Sequence, residues 1–167
     1  MKEIPLAQGQ VALVDNEDYY WLNKYTWCYH PRTGITRKEK LEYSNSTIYM
    51  HRAILEYHGF NIYKLHVDHI NGLKTDNRKC NLRPATPSQN IANSFKYGGK
   101  GSYFDKTRNK WRAMIKINYK PVHLGYFNTE QEARQAYDIA ARKYFGEFAR
   151  TNEPVVVEDA GYGSNRK

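Results

Sequence analysis

Asp68 and His69 are adjacent, Asn81 stands twelve residues beyond His69, and Asn90 nine beyond that. A neutral imidazole, with an ordinary pKa of about 6.5, can take a proton from water near neutral pH. Carboxylate and amide oxygens are hard donors, of the kind that suits Mg²⁺ or Mn²⁺ while the cation keeps several waters. Taken singly these residues are ordinary. Asp-His pairs are usually structural, and Asn71-Gly72 and Asp76-Asn77 are common turn formers. The set is what departs from chance: an acid–imidazole pair followed by two asparagines at fixed distances.

The elements that must hold this set can be read around it. Val67-Asp68-His69 reads as the end of a strand, followed by a long turn, a short returning strand and a helix. The helix start is well marked, with Thr86 as N-cap, Pro87 at the first helical position and Gln89 completing a capping box. Asn90 then lies one residue further in, at the positive end of the helix dipole and directed back toward the strands. On an ideal strand Asp68 and His69 face opposite sides, whereas His66 shares the Asp68 face and is a possible alternative participant.

This set resembles the HNH nuclease motif of the ββα-metal superfamily, in the form found in homing endonucleases, over roughly Tyr49 to Asn93. The resemblance implies that His69 is the general base and that Asp68 and Asn90 are metal ligands. It also implies that Asn81 is the middle asparagine, whose amide ties the long loop together. The last motif position is Asn where many relatives have His, which points to an all-oxygen protein ligand set for Mg²⁺ or Mn²⁺. The implied reaction is phosphodiester hydrolysis to a 5′-phosphate and a 3′-hydroxyl.

Charge is concentrated elsewhere. Residues 1–60 balance, residues 61–95 carry +3, and residues 96–126 carry eight basic side chains against one acidic, most of the chain's net +9. Such a segment is the footprint of a polyanion-binding surface. Within it Trp111, Ala113, Ile115 and Ile117 alternate with Arg112, Met114 and Lys116. That is a strand with one apolar and one largely cationic face. The alternation puts Trp111 on the core side. Gly101 to Asp105 predicts a preceding strand, and Val122 and Leu124, with His123 opposite, a following one. Thr129 and Glu132 then cap a helix whose stripe is Ala133, Ala136, Tyr137, Ala140, Ala141 and Tyr144.

Residues Lys100 to Asn152 resemble the DNA-binding domain of plant ethylene-response factors, the Apetala or AP-two type. The matching stretches are Lys110 to Lys116, Val122 to Phe127 and Glu132 to Ala141. The resemblance implies a sheet docked in the major groove of double-stranded DNA, with Tyr103, Arg112, Met114, Lys116 and His123 at the matching outward positions. Lys106 and Arg108 in the adjoining turn, and Arg78 and Arg83 in the central region, are further candidate DNA contacts.

The N-terminal region reads as mixed α and β. A strand is predicted over Gln10 to Val14, and a helix from an Asp15 N-cap through Tyr25. Strands are predicted over Thr26 to Tyr29 and Ile48 to Met50, with a loop from Pro31 to Asn45 between them. A helix is predicted over His51 to Tyr57. His30, His51 and His58 read as structural or surface residues. Cys28 and Cys80 are the only cysteines, which excludes a disulfide framework and a four-thiolate zinc site, so no structural zinc is expected. No apolar run approaches a membrane span.

The fold class expected is therefore α+β: an N-terminal mixed region leading into a ββα-metal motif, then a three-stranded antiparallel sheet packed on one helix. The expected domains are a nuclease domain over 1–95 (core about 65–95), a DNA-binding domain over 96–152 and a flexible tail over 153–167. The expected activity is a site-specific HNH DNA endonuclease, with a DNA-binding regulatory protein carrying an inactive centre as the alternative. An RNA-binding module is disfavoured, because the basic strand lacks an evident aromatic platform. One site per chain suits nicking by a monomer. The expected location is intracellular, cytoplasm or nucleoid, and phage encoding in a bacterial host fits both resemblances.

Overall fold

Lys2–Pro5 (β1) and Val11–Val14 (β2) pair antiparallel and send Ile4, Ala12 and Val14 inward. The computed structural model describes residues 1–40, 44–94 and 101–153. Its contacts divide the chain into two units, Met1–Phe95 and Lys96–Lys167. The tail expected to be flexible lies outside the described residues from position 154. So do residues 41–43 of the expected loop and 95–100, which hold the expected domain boundary.

Asn16–Leu22 forms α1, ending three residues short of the predicted Tyr25. Trp27 decides that end: its buried indole Nε1 donates to the Leu22 carbonyl at 2.9 Å, turning the chain into the next strand. Asp15 does occupy the N-cap position, but its side chain does not cap. Its Oδ2 accepts instead from the backbone N–H of Lys79 at 2.8 Å, tying α1 to the loop that follows Asp76.

Cys28–His30 (β3), Gly34–Lys40 (β4) and Asn45–Tyr49 (β5) form an antiparallel sheet in the order β3-β4-β5. The loop predicted over Pro31 to Asn45 is corrected here by β4. Its Thr-Arg-Lys-Glu-Lys run has poor strand propensity, but pairing on both edges and burial of Gly34, Ile35 and Thr36 override it. The Arg37 guanidinium lies over the Tyr25 ring at 4.0 Å and pairs with Glu39 at 2.9 Å.

Met50–Tyr57 (α2) buries Met50, Ile54 and Leu55 against Ile4, Val14, Leu22, Trp27 and Ile35. Each large apolar side chain so buried contributes about 1.5–3 kcal/mol. On this core rest His66–His69 (β6), Leu82–Ala85 (β7) and Pro87–Asn93 (α3). β6 and β7 pair antiparallel, setting Asp68 opposite Arg83 and His69 opposite Leu82. The Thr86–Gln89 capping box is present in both directions.

The second unit comprises Ser102–Asp105 (β8), Lys110–Ile117 (β9), Lys120–Phe127 (β10) and Glu130–Phe145 (α4), with sheet order β10-β9-β8. Ala113 and Ile115 face α4, which buries Ala133, Tyr137, Ala140 and Ala141. Tyr144, predicted in that stripe, is exposed; Phe145 packs on the core in its place. Asp138 is also buried, and its carboxylate accepts from the backbone N–H groups of Asn152 and Glu153. Trp111 is half-buried outside the core cluster, edge-on to Phe104 at 5.3 Å, which corrects its predicted core position. Gly101, at φ +77°, lies where a Cβ would come within 2.0 Å of the Tyr137 ring. The architecture is thus mixed α+β with small antiparallel sheets. No described helix is long and apolar enough to cross a membrane.

Candidate active site at the end of β6

The strand end brings Asp68 and His69 together despite the alternation. His69 is the last residue of β6, both side chains are buried, and both border one cavity of about 410 Å³ with Asn90 and Asn93. A second cavity of similar size shares His69 and Asn90 and adds Tyr49, His51 and His66.

Asp68 is held from two sides. Arg83 places Nε and a terminal nitrogen on its Oδ2, both at 2.9 Å. Asn93 donates Nδ2 to both carboxylate oxygens at 3.0 Å and to the His69 carbonyl at 2.8 Å. Asn93 was not singled out from the sequence; it follows Asn90 by three residues, so both lie on neighbouring rows of α3. Among the described residues Oδ1 of Asp68 receives one bond, from Asn93, and a carboxylate oxygen has room for more.

His69 Nε2 faces Oδ1 of the fully buried Asn77 at 3.4 Å. An amide oxygen only accepts, so this contact puts the ring proton on Nε2 and the lone pair on Nδ1. Burial pushes the His69 pKa below the ordinary histidine value, partly offset by the Asn77 contact and by Asp68 and Asp76. Burial thus biases the imidazole toward its neutral form. His51, read from sequence as structural or surface, packs edge to face on His69 with ring centres 5.3 Å apart. Burial, reinforced by His69, lowers its pKa to about 3.

Asn81 spans the long loop: its Oδ1 accepts from the Asn71 N–H at 2.9 Å and its Nδ2 donates to the Asp76 carbonyl at 2.7 Å. Arg78 grips both oxygens of Asp76, at 2.8 and 2.7 Å. Arg78 and Arg83, expected at DNA, thus have their guanidinium groups on carboxylates within this hairpin. Asn90 directs Nδ2 to His66 Nδ1 at 3.2 Å, which turns its amide oxygen away from that ring.

A carboxylate oxygen with spare acceptor capacity and an amide oxygen on one cavity wall form an all-oxygen donor set. Asp68 and Asn90 thus fit a hard divalent cation. A different group of residues with ligand-type side chains, Glu17, Asp18 and His58, lies at α1 and the end of α2. There Lys79 pairs with Glu17, and His58 and Trp21 reach Asp18 Oδ1 at 2.8 and 3.1 Å.

Comparison with known proteins follows the same segment. The profile of a family described as HNH endonuclease matches residues 48–92. The chain is 30% identical over 149 residues to an uncharacterized HNH endonuclease, L560, of Acanthamoeba polyphaga mimivirus, covering 88% of this chain and 77% of the relative. The chain belongs to the HNH endonuclease family. The HNH match thus spans β5 to α3 apart from their outer residues and contains Asp68, His69, Asn81 and Asn90. Asn93 stands just past its end. The chain is also 36% identical over 86 residues to the AP2/ERF and B3 domain-containing transcription repressor TEM1 of Arabidopsis thaliana. That match covers 52% of this chain and 20% of the relative.

In the second unit of this HNH-family chain, Tyr103, Arg112 and Tyr126 lie side by side across three strands. Met114 pairs with His123, and Lys116 follows on the same face of β9. Lys106 and Arg108 lie in the β8–β9 turn; Arg108 pairs with Asp105 at 3.2 Å and lies over Tyr126 at 5.0 Å. Tyr126 was missed because strict alternation from Val122 and Leu124 assigns it to the core side. A bulge between His123 and Gly125 shifts the register and puts Tyr126 on the face of His123, at a ring distance of 4.7 Å. Tyr103 on β8 and Tyr126 on β10, both more than a third exposed, flank the basic strand β9, which itself presents no exposed aromatic side chain.

Proposed function

We propose that this chain is a divalent-metal-dependent, site-specific DNA endonuclease of the homing type, cutting to a 5′-phosphate and a 3′-hydroxyl. In this reading β6, β7 and α3 are the ββα-metal core of a nuclease domain over 1–95. The observation that carries it is the convergence of Asp68, His69 and Asn90 on one cavity. His69 Nδ1 takes the proton of the attacking water, and its Nε2–H is held by Asn77. Asp68 and Asn90 would hold Mg²⁺ or Mn²⁺, which would supply positive charge to the phosphate. Arg83 and Asn93 hold the Asp68 carboxylate in place, and Asn81 closes the loop that carries His69.

The second unit, over 96–152, is read as an AP-two-type DNA-binding domain. Tyr103, Arg112, Met114, Lys116 and His123 then face the major groove of double-stranded DNA, and Lys106 and Arg108 face phosphate. The excess positive charge of residues 96–126 and the likeness to a repressor with an AP2/ERF domain support this. The protein acts inside the cell, as a monomer that nicks. The same likeness favours a second reading, a DNA-binding regulator with a silent nuclease centre. Incubating a supercoiled plasmid with the protein, with Mg²⁺ or with chelator, separates the two. Nicking only with Mg²⁺, leaving ligatable 5′-phosphate ends, is expected. Binding without cutting under every divalent ion supports the regulator.

A further inference from the structure

The loop Pro31-Arg32-Thr33 between β3 and β4 lies outside the segment that matches the HNH family, yet Arg32 borders both cavities that meet at His69 and Asn90. Arg37, Arg78 and Arg83 are paired with carboxylates, and Arg52 donates to the Leu65 and Ile62 carbonyls. Arg32 is exposed, and its guanidinium has no hydrogen bond or ion pair among the described residues.

Its loop, by contrast, is pinned. Lys74, on the β6–β7 loop, donates Nζ to the Pro31 carbonyl at 2.6 Å and to the Arg32 carbonyl at 2.8 Å. Gly34, the first residue of β4 at φ +83°, follows this turn with its Cβ position 3.6 Å from Lys74 Cβ. Holding a long lysine side chain in one geometry is entropically unfavourable. What the geometry secures is the backbone position of Arg32 relative to the loop that follows His69.

From this we infer that Arg32 grips the non-bridging oxygens of the scissile phosphodiester, and that Lys74 is the positioning residue that holds its loop there. The inference rests on the nuclease reading above. A guanidinium fork matches two phosphate oxygens, whereas an ammonium is a single point charge. Negative charge on those oxygens grows during attack by water, so the contact strengthens toward the transition state and lowers the saturating rate when lost.

The test is single-turnover nicking of a supercoiled plasmid in Mg²⁺ at saturating protein. The proteins compared are wild type, His69→Ala, Arg32→Met, Arg32→Lys, Lys74→Met and the Arg32→Met/Lys74→Met double variant. Thermal melts and anisotropy on duplex DNA accompany it. Arg32→Met should lower the rate on the order of 10²-fold, with unchanged melting and DNA affinity within a few fold. Arg32→Lys should recover part of that loss. Lys74→Met should slow cleavage in the wild-type background and add little to Arg32→Met, since it acts through Arg32. Arg32→Met nicking within threefold of wild type, while His69→Ala is inactive, overturns the inference and leaves the nuclease reading standing. His69→Ala nicking at the wild-type rate overturns that reading itself.

Discussion

Asn93 shows how much of the centre depends on one amide. Its Nδ2 serves the Asp68 carboxylate and the His69 carbonyl together. Asn93→Leu leaves these buried acceptors short of a donor, which costs about 1–3 kcal/mol. The variant should therefore melt several degrees lower and lose most cleavage, as a melt and a nicking assay would show. Asp68, His69, Asn81 and Asn90 could be singled out from spacing because each sits at a fixed offset from a local turn or cap. Asn77, Asn93, His51 and Arg32 could not. Their importance comes from what tertiary packing brings beside them, and asparagine or histidine carries no periodicity that reports it. His51 carries a pH dependence of its own. Its folded pKa of about 3 lies below the unfolded 6.5, so the unfolded chain binds the extra proton between these values. The stability it allows is full above about pH 6.5 and is lost as pH falls toward 3, about 2 kcal/mol being gone at pH 5. His51→Phe should flatten this acid limb in urea unfolding between pH 7 and 5; an unchanged limb assigns it to other groups.

Elements with local signals were legible, and those decided by long-range pairing were not. The capping boxes at Thr86 and Thr129 need only four residues each and are present in the structure. β4 was hidden because a charged sequence becomes a strand only when neighbours pair on both edges. The end of α1 was hidden because Trp27 sets it from outside the helix. The bulge in β10 that re-aimed Tyr126 did have a local mark, Gly125 at φ +140°, since an isolated glycine inside a strand pattern signals a bulge; strict alternation passes over it. Gly101 marks the opposite case, a close approach fixed by one missing side chain. Gly101→Ala would set a methyl group against the Tyr137 ring and impose an unfavourable positive φ. It should destabilise the second unit by more than about 2 kcal/mol, read as a lower midpoint in chemical unfolding. A midpoint within error of wild type would mean that α4 shifts freely over the sheet.

At the scale of the whole molecule, mixed α+β character followed from alternating strand and helix periods, and family membership from one constellation of four residues. The proposed division of labour makes the second unit the main source of DNA affinity. Each phosphate neutralised contributes about −0.9 to the slope of log K against log salt. Replacing Arg112 and Lys116 together by Ala should weaken binding and make the slope shallower by up to about two units. Cutting of saturating DNA should persist, since neither residue lies at the β6 site. An unchanged slope would remove this face from the interface. The central claim, that neutral His69 activates the water, is tested most directly by single-turnover nicking with His69→Ala beside His66→Ala in Mg²⁺. His66 Nδ1 only receives the Asn90 amide, so its loss should slow cutting by about tenfold or less, whereas loss of the base removes 10²–10⁴-fold. The account predicts that His69→Ala leaves no cutting above background, with DNA affinity within a few fold of wild type. Cutting by His69→Ala at the wild-type rate, with His66→Ala inactive, would contradict it.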